Sequence, residues 1–362
     1  MRNKVHHGGN IEKVAEALGG SVEEIRDFSA NINPLGFPQE LQTIFSQGPM
    51  IATVYPDPTY AALKQAIANQ FAVNPGDVFV GNGATEVLDE AICAGQASNA
   101  LILAPTFGEY ERLFKRQGTK VHYYLLKEEN NFAYKTDSMI NFLVEHPEIT
   151  TICLTNPNNP TGQLVSLSEM RKLVDFCNGH RRLLILDESF IDLTVNQQLS
   201  FVNALQPEDH VYVIRAATKF FAIPGLRLGY CITKNPELKK NLHAQEDTWS
   251  VNGLADAFGR KMFQARDYIN RTHAWLNEQQ PILKKKLQEL TGIKVFPSMT
   301  NFFLFKIDCP NLREQMMHKL VVIRQCDDYV GLGSDYYRVA VKSAEDNAYL
   351  IWALKEVVGS DK

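Results

Sequence analysis

The chain has 362 residues, of which 45% are hydrophobic and 22% are charged, and its formal net charge is −4 at pH 7. This composition is typical of a soluble globular protein, and the charge gives no electrostatic reason to expect nucleic acid or an anionic membrane as a partner. The start lacks an apolar signal-peptide stretch, and no apolar run approaches the roughly 20 residues that span a bilayer. We therefore expect a cytoplasmic protein.

The first segment, residues 1–45, opens with the stretch HHGGN at 6–10 and continues through SANINPLG, which is rich in turn residues. Its composition predicts an arm with irregular structure. Short apolar runs and amphipathic stretches then alternate, which predicts a mostly parallel sheet covered by helices on both faces. The predicted strands are 100–105, 149–157, 182–188, 210–217 and 228–233.

The last third of the chain has a different pattern. A polar helical stretch over about 253–290 leads into KVFPSMTNFFLFKI, VVIRQC and YYRVAV, and a closing helix begins at Ala344. Three strands and two helices predict a smaller α+β unit.

The six cysteines include no C-x-x-C pair, so zinc-finger and thioredoxin-like sites are not indicated. Most of them lie in apolar segments, where free buried thiols are typical of a reducing compartment. The nine histidines offer no ligand pair four residues apart with a third partner, so no metal site is predicted.

Polar residues follow the predicted parallel strands at their carboxyl ends, where α/β proteins bind ligands. These residues are Thr106–Phe107, 156–161, Asp187–Glu188 and Thr218–Lys219. One lysine, one carboxylate and one amide at neighbouring strand ends predict a site assembled from several loops.

Lys219 is followed by the apolar residues 220–224. Burial among apolar groups lowers the pKa of a lysine and makes it a candidate Schiff-base former, although a surface lysine is the ordinary alternative. Asp187 is either half of a structural salt bridge or a carboxylate that keeps a pyridinium nitrogen protonated. Arg227, in a similarly apolar setting, needs an anionic partner. In GNGATEVL (81–88), glycines lead into a helix whose free amides bind phosphate well.

NPNNPTG, LLILDESFID and TKFFAIPGLRLGY, in this order and spacing, resemble the fold-type I pyridoxal 5′-phosphate (PLP) enzymes of the aspartate aminotransferase superfamily. The resemblance implies an α/β fold with a large PLP-binding domain, built on a mostly parallel sheet, and a smaller α+β domain. We place these at 46–250 and 251–362, with an N-terminal arm and small-domain segment at 1–45. By motif, the nearest groups are the threonine-phosphate decarboxylases of cobalamin synthesis and the histidinol-phosphate aminotransferases.

The resemblance implies a role for each matching residue. Lys219 resembles the lysine that binds PLP covalently, Asp187 the partner of the ring nitrogen, and Asn159 the donor to the ring oxygen. Phe107 resembles the ring that stacks on the cofactor. Tyr55 matches a tyrosine that reaches the neighbouring subunit's cofactor, which implies a homodimer with shared sites. The residues implied around the cofactor phosphate are Gly83, Ala84, Thr85, Thr218 and Arg227.

Two positions depart from common aminotransferase patterns. Ala216 replaces a Ser or Thr that donates to the cofactor phosphate, and one neutral hydrogen bond is worth about 0.5–1.5 kcal/mol. Phe190 replaces the tyrosine that aspartate aminotransferases use at the ring oxygen. Both changes affect contacts to PLP rather than the choice of cofactor.

Arg324 and Arg338 supply two guanidinium groups, which suit phosphate and carboxylate, although either one could make a structural ion pair. The stretches HGGN, DFSANINPLG, RQC and WSVN resemble the decarboxylase group. The resemblance implies decarboxylation of L-threonine O-3-phosphate to (R)-1-amino-2-propanol O-2-phosphate. Histidinol-phosphate aminotransferase and L-serine O-phosphate decarboxylase stay as alternatives, whereas a ligand-sensing regulator would need a DNA-binding domain, for which the chain has neither room nor a basic patch.

The substrate residues predicted on this basis are His7, Gly8, Gly9, Asn33, Asn159, Arg324 and Arg338. His7 would meet the substrate phosphate, and the two glycines would let the backbone approach closely. A frayed chain end is the alternative for this stretch, and His6 has no predicted role.

Overall fold

The structure is a computed structural model that describes residue 9 and residues 11–359. The strands are β1 (Arg26–Asp27), β2 (Val78–Asn82), β3 (Asn99–Ala104), β4 (Lys120–Leu125), β5 (Thr151–Thr155), β6 (Leu183–Asp187), β7 (Val211–Ala216), β8 (Leu228–Ile232), β9 (Lys294–Val295), β10 (Phe302–Lys306), β11 (Val321–Val322), β12 (Arg324–Gln325) and β13 (Tyr336–Ala340).

The α-helices are α1 (Ile11–Leu18), α2 (Thr43–Ser46), α3 (Gly48–Ile51), α4 (Ala61–Phe71), α5 (Ala84–Gly95), α6 (Glu109–Arg116), α7 (Thr136–Glu145), α8 (Leu167–Gly179), α9 (Ala217–Phe220), α10 (Pro236–His243), α11 (Gly253–Gly259), α12 (Arg266–Gln288), α13 (Leu312–His318) and α14 (Ala344–Gly359). Within residues 11–359, no helix is both long and apolar enough to cross a membrane.

The central sheet has the strand order β2-β8-β7-β6-β5-β3-β4. Its strands pair in parallel from β7 to β4, and β8 runs antiparallel to both of its neighbours. Every residue of β5, β6 and β7 is buried, as expected for strands covered on both faces. The predicted α/β class is confirmed, and all five predicted strands are present as β3, β5, β6, β7 and β8. The strands β2 and β4 were not predicted; β4 is the half-exposed sheet edge, whose polar residues hide the apolar pattern.

The C-terminal part contains a second, antiparallel sheet of order β12-β13-β10-β9. The C-terminal part has more strands than predicted, because KVFPSMTNFFLFKI divides into β9 and β10 and VVIRQC divides into β11 and β12, of which β11 belongs to a separate sheet. β11 pairs in parallel with β1, so the chain start joins this part of the fold. The predicted helix over 253–290 is divided into α11 and α12 by a short 3₁₀ turn. The domain boundaries at 45 and 250 stay a prediction.

One buried ion pair links the central strands below the sheet's carboxyl edge. Arg215 of β7 is 1% exposed and donates to Glu188 Oε2 at 3.2 Å and to Asp192 Oδ1 at 2.6 Å. Glu188 also accepts hydrogen bonds from Ser200 Oγ and from the backbone N–H of Phe201. Arg215 is the cation that compensates the buried Glu188 carboxylate, so removing Arg215 leaves that carboxylate unpaired.

We expect Arg215→Leu to lower the free energy of unfolding by about 3–5 kcal/mol, because it leaves the Glu188 carboxylate buried without its cation. Urea unfolding followed by fluorescence measures the loss. Arg271→Leu is the matched control, because the Arg271–Asp267 pair is exposed on both sides and is worth about 0–1 kcal/mol. Equal losses in the two variants would contradict the assignment.

Candidate active site

A cavity of about 480 Å³ lies at the carboxyl ends of the central strands, between them and residues of the C-terminal sheet. It brings together most of the residues that the sequence singles out. Those lining it are Ala84, Thr85, Phe107, Asn159, Asp187, Thr218, Lys219, Arg227, Arg324 and Arg338. Residues from seven separate stretches of the sequence therefore share one cavity.

Lys219 enters the cavity from α9, directly after β7. Its Nζ donates to Thr218 Oγ1 at 3.2 Å. Burial lowers the pKa of Lys219, the cations of Arg227 and Arg338 lower it further, and Asp187 opposes them. The lowered pKa favours the neutral amine, which is the nucleophilic form that attacks a carbonyl carbon.

Asp187 ends β6 and presents its carboxylate to the same cavity. Oδ2 accepts a hydrogen bond from the Tyr110 hydroxyl at 2.7 Å, and Oδ1 accepts one from the backbone N–H of Ser189 at 2.7 Å. The Tyr110 oxygen in turn accepts from Thr155 Oγ1 at 2.7 Å. Burial raises the pKa of Tyr110 well above its usual value, so its hydroxyl stays protonated and remains a donor. Asp187 is thus oriented from two sides.

We expect Tyr110→Phe to lower the free energy of unfolding by about 1.5–3 kcal/mol, because it removes a hydrogen bond to a buried carboxylate. The same change should weaken binding of a cofactor whose ring nitrogen contacts Asp187. Thermal unfolding and cofactor titration measure the two effects. Tyr123→Phe, on the edge strand β4, is the control that should leave cofactor affinity unchanged; a loss of affinity there too would point to a general effect of removing a hydroxyl.

The N-terminus of α5, with Gly83 and the nearby Arg227, has the features of an anion-binding site, which we call the cradle. Gly83 precedes this helix with φ = 83°, and the Arg227 guanidinium packs so closely over it that any Cβ would collide. Free amides at a helix start and a nearby guanidinium together favour a phosphate group. Ala84, Thr85 and Thr218 line the cavity beside them.

This arrangement fits PLP. The cradle would hold the cofactor phosphate, Asp187 would meet the ring nitrogen, and Lys219 would bind the aldehyde carbon. Phe107 lies on the cavity wall as an aromatic surface for the ring. Phe190, which lacks a hydroxyl, also lines the cavity, and Lys219 Nζ lies 6.0 Å from its ring centre.

The two arginines predicted for the substrate lie at the end of the cavity formed by the C-terminal sheet. Arg338 Nη1 donates to Asn159 Oδ1, and Nη2 donates to the carbonyl of Ser29 at 2.7 Å. The Nε of Arg338 is buried and has no hydrogen-bond partner among the described residues. Arg324 Nη2 contacts both carboxylate oxygens of Asp328 at 2.7 Å. Arg338 therefore keeps a donor for a ligand, while Arg324 is already paired.

Asn33, which was predicted to contact the substrate, does not line this cavity. Its side chain donates to the carbonyl of Phe220 and to Thr272 Oγ1, and accepts from the backbone N–H of Leu35, so it is used up inside the fold. Asn31 lines the cavity instead, and its Oδ1 is buried without a partner among the described residues. The two asparagines are two positions apart in a segment without regular periodicity, so the sequence could not separate them.

Four further predicted residues lie at the chain start or on the surface. His7 and Gly8 lie outside the described residues. Gly9, with φ = 89°, donates its backbone N–H to Ser29 Oγ at 2.9 Å, and Ser29 lines the cavity. Tyr55 is 80% exposed, does not line the cavity of its own chain, and packs against Trp249 with the ring centres 4.6 Å apart and the rings tilted by 30°.

Sequence reasoning also missed Tyr110 and Asp328. Tyr110 lies three residues after Phe107 at the start of α6, and that spacing could have indicated a shared direction. Asp328 lies in a turn after β12, where spacing carries no directional information.

Comparisons with known proteins agree with this geometry. Residues 26–354 match the family "Aminotransferase class I and II". The chain is 35% identical to a threonine-phosphate decarboxylase of Salmonella typhimurium, over 97% of this chain and 96% of that protein. It is 27% identical to an L-serine phosphate decarboxylase of Sulfurospirillum multivorans, over 86% and 81% of the two chains. A solved histidinol-phosphate aminotransferase of Clostridium acetobutylicum superposes with a TM-score of 0.85 at 29% identity, covering 92% of this chain and 99% of that one. The chain belongs to the class I and II aminotransferase family, whose cofactor is PLP.

Proposed function

We propose that this protein is a PLP-dependent decarboxylase that converts L-threonine O-3-phosphate to (R)-1-amino-2-propanol O-2-phosphate in cobalamin biosynthesis. The observation that carries the proposal is the pair of buried arginines, Arg324 and Arg338, in the cavity that holds Lys219. Guanidinium groups suit phosphate, and the near full-length similarity to a threonine-phosphate decarboxylase supports this substrate.

Bound PLP withdraws electrons from the substrate Cα and so lets a bond to that carbon break. Arg338, with its unpartnered Nε, holds the substrate phosphate, and Arg324 adds positive charge beside it. With the phosphate fixed there, the substrate carboxylate stays outside the guanidinium contacts and leaves as CO₂. The Lys219 ammonium would then deliver a proton to Cα and be left as the neutral amine. Asp187, held by Tyr110 and Ser189, keeps its negative charge directed at the cofactor.

Two other substrates share the phosphate group. Histidinol phosphate has no carboxylate to lose, and an enzyme acting on it would transfer the amino group instead. L-Serine O-phosphate lacks only the methyl group of phosphothreonine, a difference worth about 1–3 kcal/mol in a fitted pocket. Recognition of the phosphate alone therefore does not choose among the three.

The deciding experiment is product analysis with each of the three substrates and the PLP-loaded protein. We expect CO₂ and aminopropanol phosphate from phosphothreonine, and a lower kcat/KM with phosphoserine. Absence of CO₂ together with turnover of histidinol phosphate in the presence of 2-oxoglutarate would overturn the proposal.

We also propose that the protein acts in the cytoplasm as a homodimer whose active sites are shared. Tyr55, Met50 and Val54 are exposed on one short segment, next to the half-exposed Trp249, which favours a covered apolar face. In this dimer Tyr55 reaches the neighbouring subunit's cofactor. The free state of all six cysteines supports a reducing compartment. Sedimentation measures the dimer, and a monomer with full activity would contradict the shared site.

A further inference from the structure

Arg324 and Arg338 are direct neighbours across two antiparallel strands. In the pairing of β12 with β13, Arg324 lies opposite Arg338, and both residues are buried. Like charges placed directly opposite each other in a sheet repel, and burial strengthens the repulsion. This part of the cavity therefore requires negative charge even before a substrate enters.

Asp328 supplies that charge. Its carboxylate contacts Arg324 Nη2 through both oxygens at 2.7 Å, and the side chains of the pair are 9% and 10% exposed. The turn that carries it is fixed, because Tyr329 N–H donates to the carbonyl of Cys326 and Cys326 N–H donates to the carbonyl of Tyr336. The ring of Tyr329 also packs 5.2 Å from the Arg324 guanidinium. Asp328 is thus a carboxylate tethered at the guanidinium, and it lines the substrate cavity.

We propose that Asp328 is a specificity-determining residue that makes this end of the cavity select a phosphate over a carboxylate. A carboxylate ligand would have to displace the Asp328 carboxylate from Arg324. Asp328 is chemically equivalent to that ligand and, being attached to the chain, has a high effective concentration, so the exchange brings no favourable binding free energy. A phosphate brings up to two negative charges and three acceptor oxygens. It can bind Arg338 and share Arg324 where a carboxylate cannot. Asp328 thus disfavours carboxylate ligands by competing with them for Arg324.

This inference rests on the proposed function only in that the bound group is a phosphate. It has a consequence for amino-acid substrates: aspartate and glutamate, whose side chains end in a carboxylate, are excluded by Asp328 rather than by size. Removing the charge should admit carboxylates without abolishing phosphate binding.

The test compares ethyl phosphate and propionate, which share an alkyl group and differ in their acidic group. Their dissociation constants for the PLP-loaded protein are measured by ligand-observed NMR at constant ionic strength. In Asp328→Asn, which keeps the shape of the side chain, we expect the preference for ethyl phosphate over propionate to fall about tenfold or more, mainly through tighter propionate binding. Asp327→Asn is the matched control, since Asp327 is exposed and does not line the cavity.

A preference that stays within threefold of the original would overturn the proposal. Equal weakening of both ligands would also overturn it, because Asp328 would then only support Arg324. Asp328→Ser provides a second uncharged variant if the asparagine variant does not fold. If ethyl phosphate does not bind the original protein, the inference and the proposed function fail together. If it binds with the expected preference but phosphothreonine is not decarboxylated, only the proposed function fails.

Discussion

Lys219→Ala is expected to abolish turnover and to remove the visible absorption band of the lysine-bound cofactor. Lys219 is the one lysine that lines the described cavity, and its lowered pKa favours the neutral amine that the covalent bond requires. Alanine keeps the buried position without the amine. Absorption spectra and CO₂ release from phosphothreonine measure the two effects.

The control for this variant is Lys240→Ala, at an exposed position of α10. It should keep both the absorption band and the activity. Decarboxylation by the Lys219→Ala protein at more than about a thousandth of the original rate would contradict the central role of the amine, because loss of a covalent catalytic group costs more than this in comparable enzymes.

Arg338→Lys is expected to lower kcat/KM for phosphothreonine by about 10²- to 10³-fold, mostly through a higher KM. Lysine keeps the charge, but it lacks the planar guanidinium that lets Arg338 contact Asn159 Oδ1, the Ser29 carbonyl and a ligand at the same time. Loss of one partner in a buried, hydrogen-bonded charge interaction costs about 2–5 kcal/mol. Steady-state kinetics with phosphothreonine measures the change.

Arg313→Lys, on the exposed side of α13, is the matched control and should leave KM unchanged. The visible absorption band should persist in Arg338→Lys, because the covalent bond to the cofactor depends on the Lys219 amine and not on this guanidinium. A fall in kcat with an unchanged KM would instead place Arg338 in the chemical step rather than in substrate binding.

The part of the fold that could be predicted is the part with local signals. β5, β6 and β7 are continuous apolar runs, and Lys219 and Asp187 follow directly from their strand ends. The chemistry of Lys219 and Asp187 could be predicted because their neighbours in the sequence are also their neighbours in the folded protein. The glycines before α5 were a local signal of the same kind, and Ala84 and Thr85 at the start of that helix line the cavity.

The remaining features depend on contacts between distant segments. Asn31 rather than Asn33 lines the cavity because the irregular chain before α2 turns against Phe220 and Thr272, which no local pattern encodes. Asp328 reaches Arg324 only through the turn that follows β12. The splitting of VVIRQC between two sheets is likewise decided by its partners, β1 and β13, and not by its own composition.

The parallel pairing of β1 with β11 has a consequence for how the protein is made. Arg26, at the start of β1, donates to Asp346 of α14, a residue 320 positions later in the chain. Contacts of such large sequence separation slow folding, because the entropy of closing the loop is lost before the contact is gained. The wall of the cavity around Ser29 and Arg338 can therefore assemble only after the segment that carries Arg338 has been synthesised. The strands of the central sheet, which end at Ile232, are all synthesised before that segment and can provide the surface on which β1 and α14 meet.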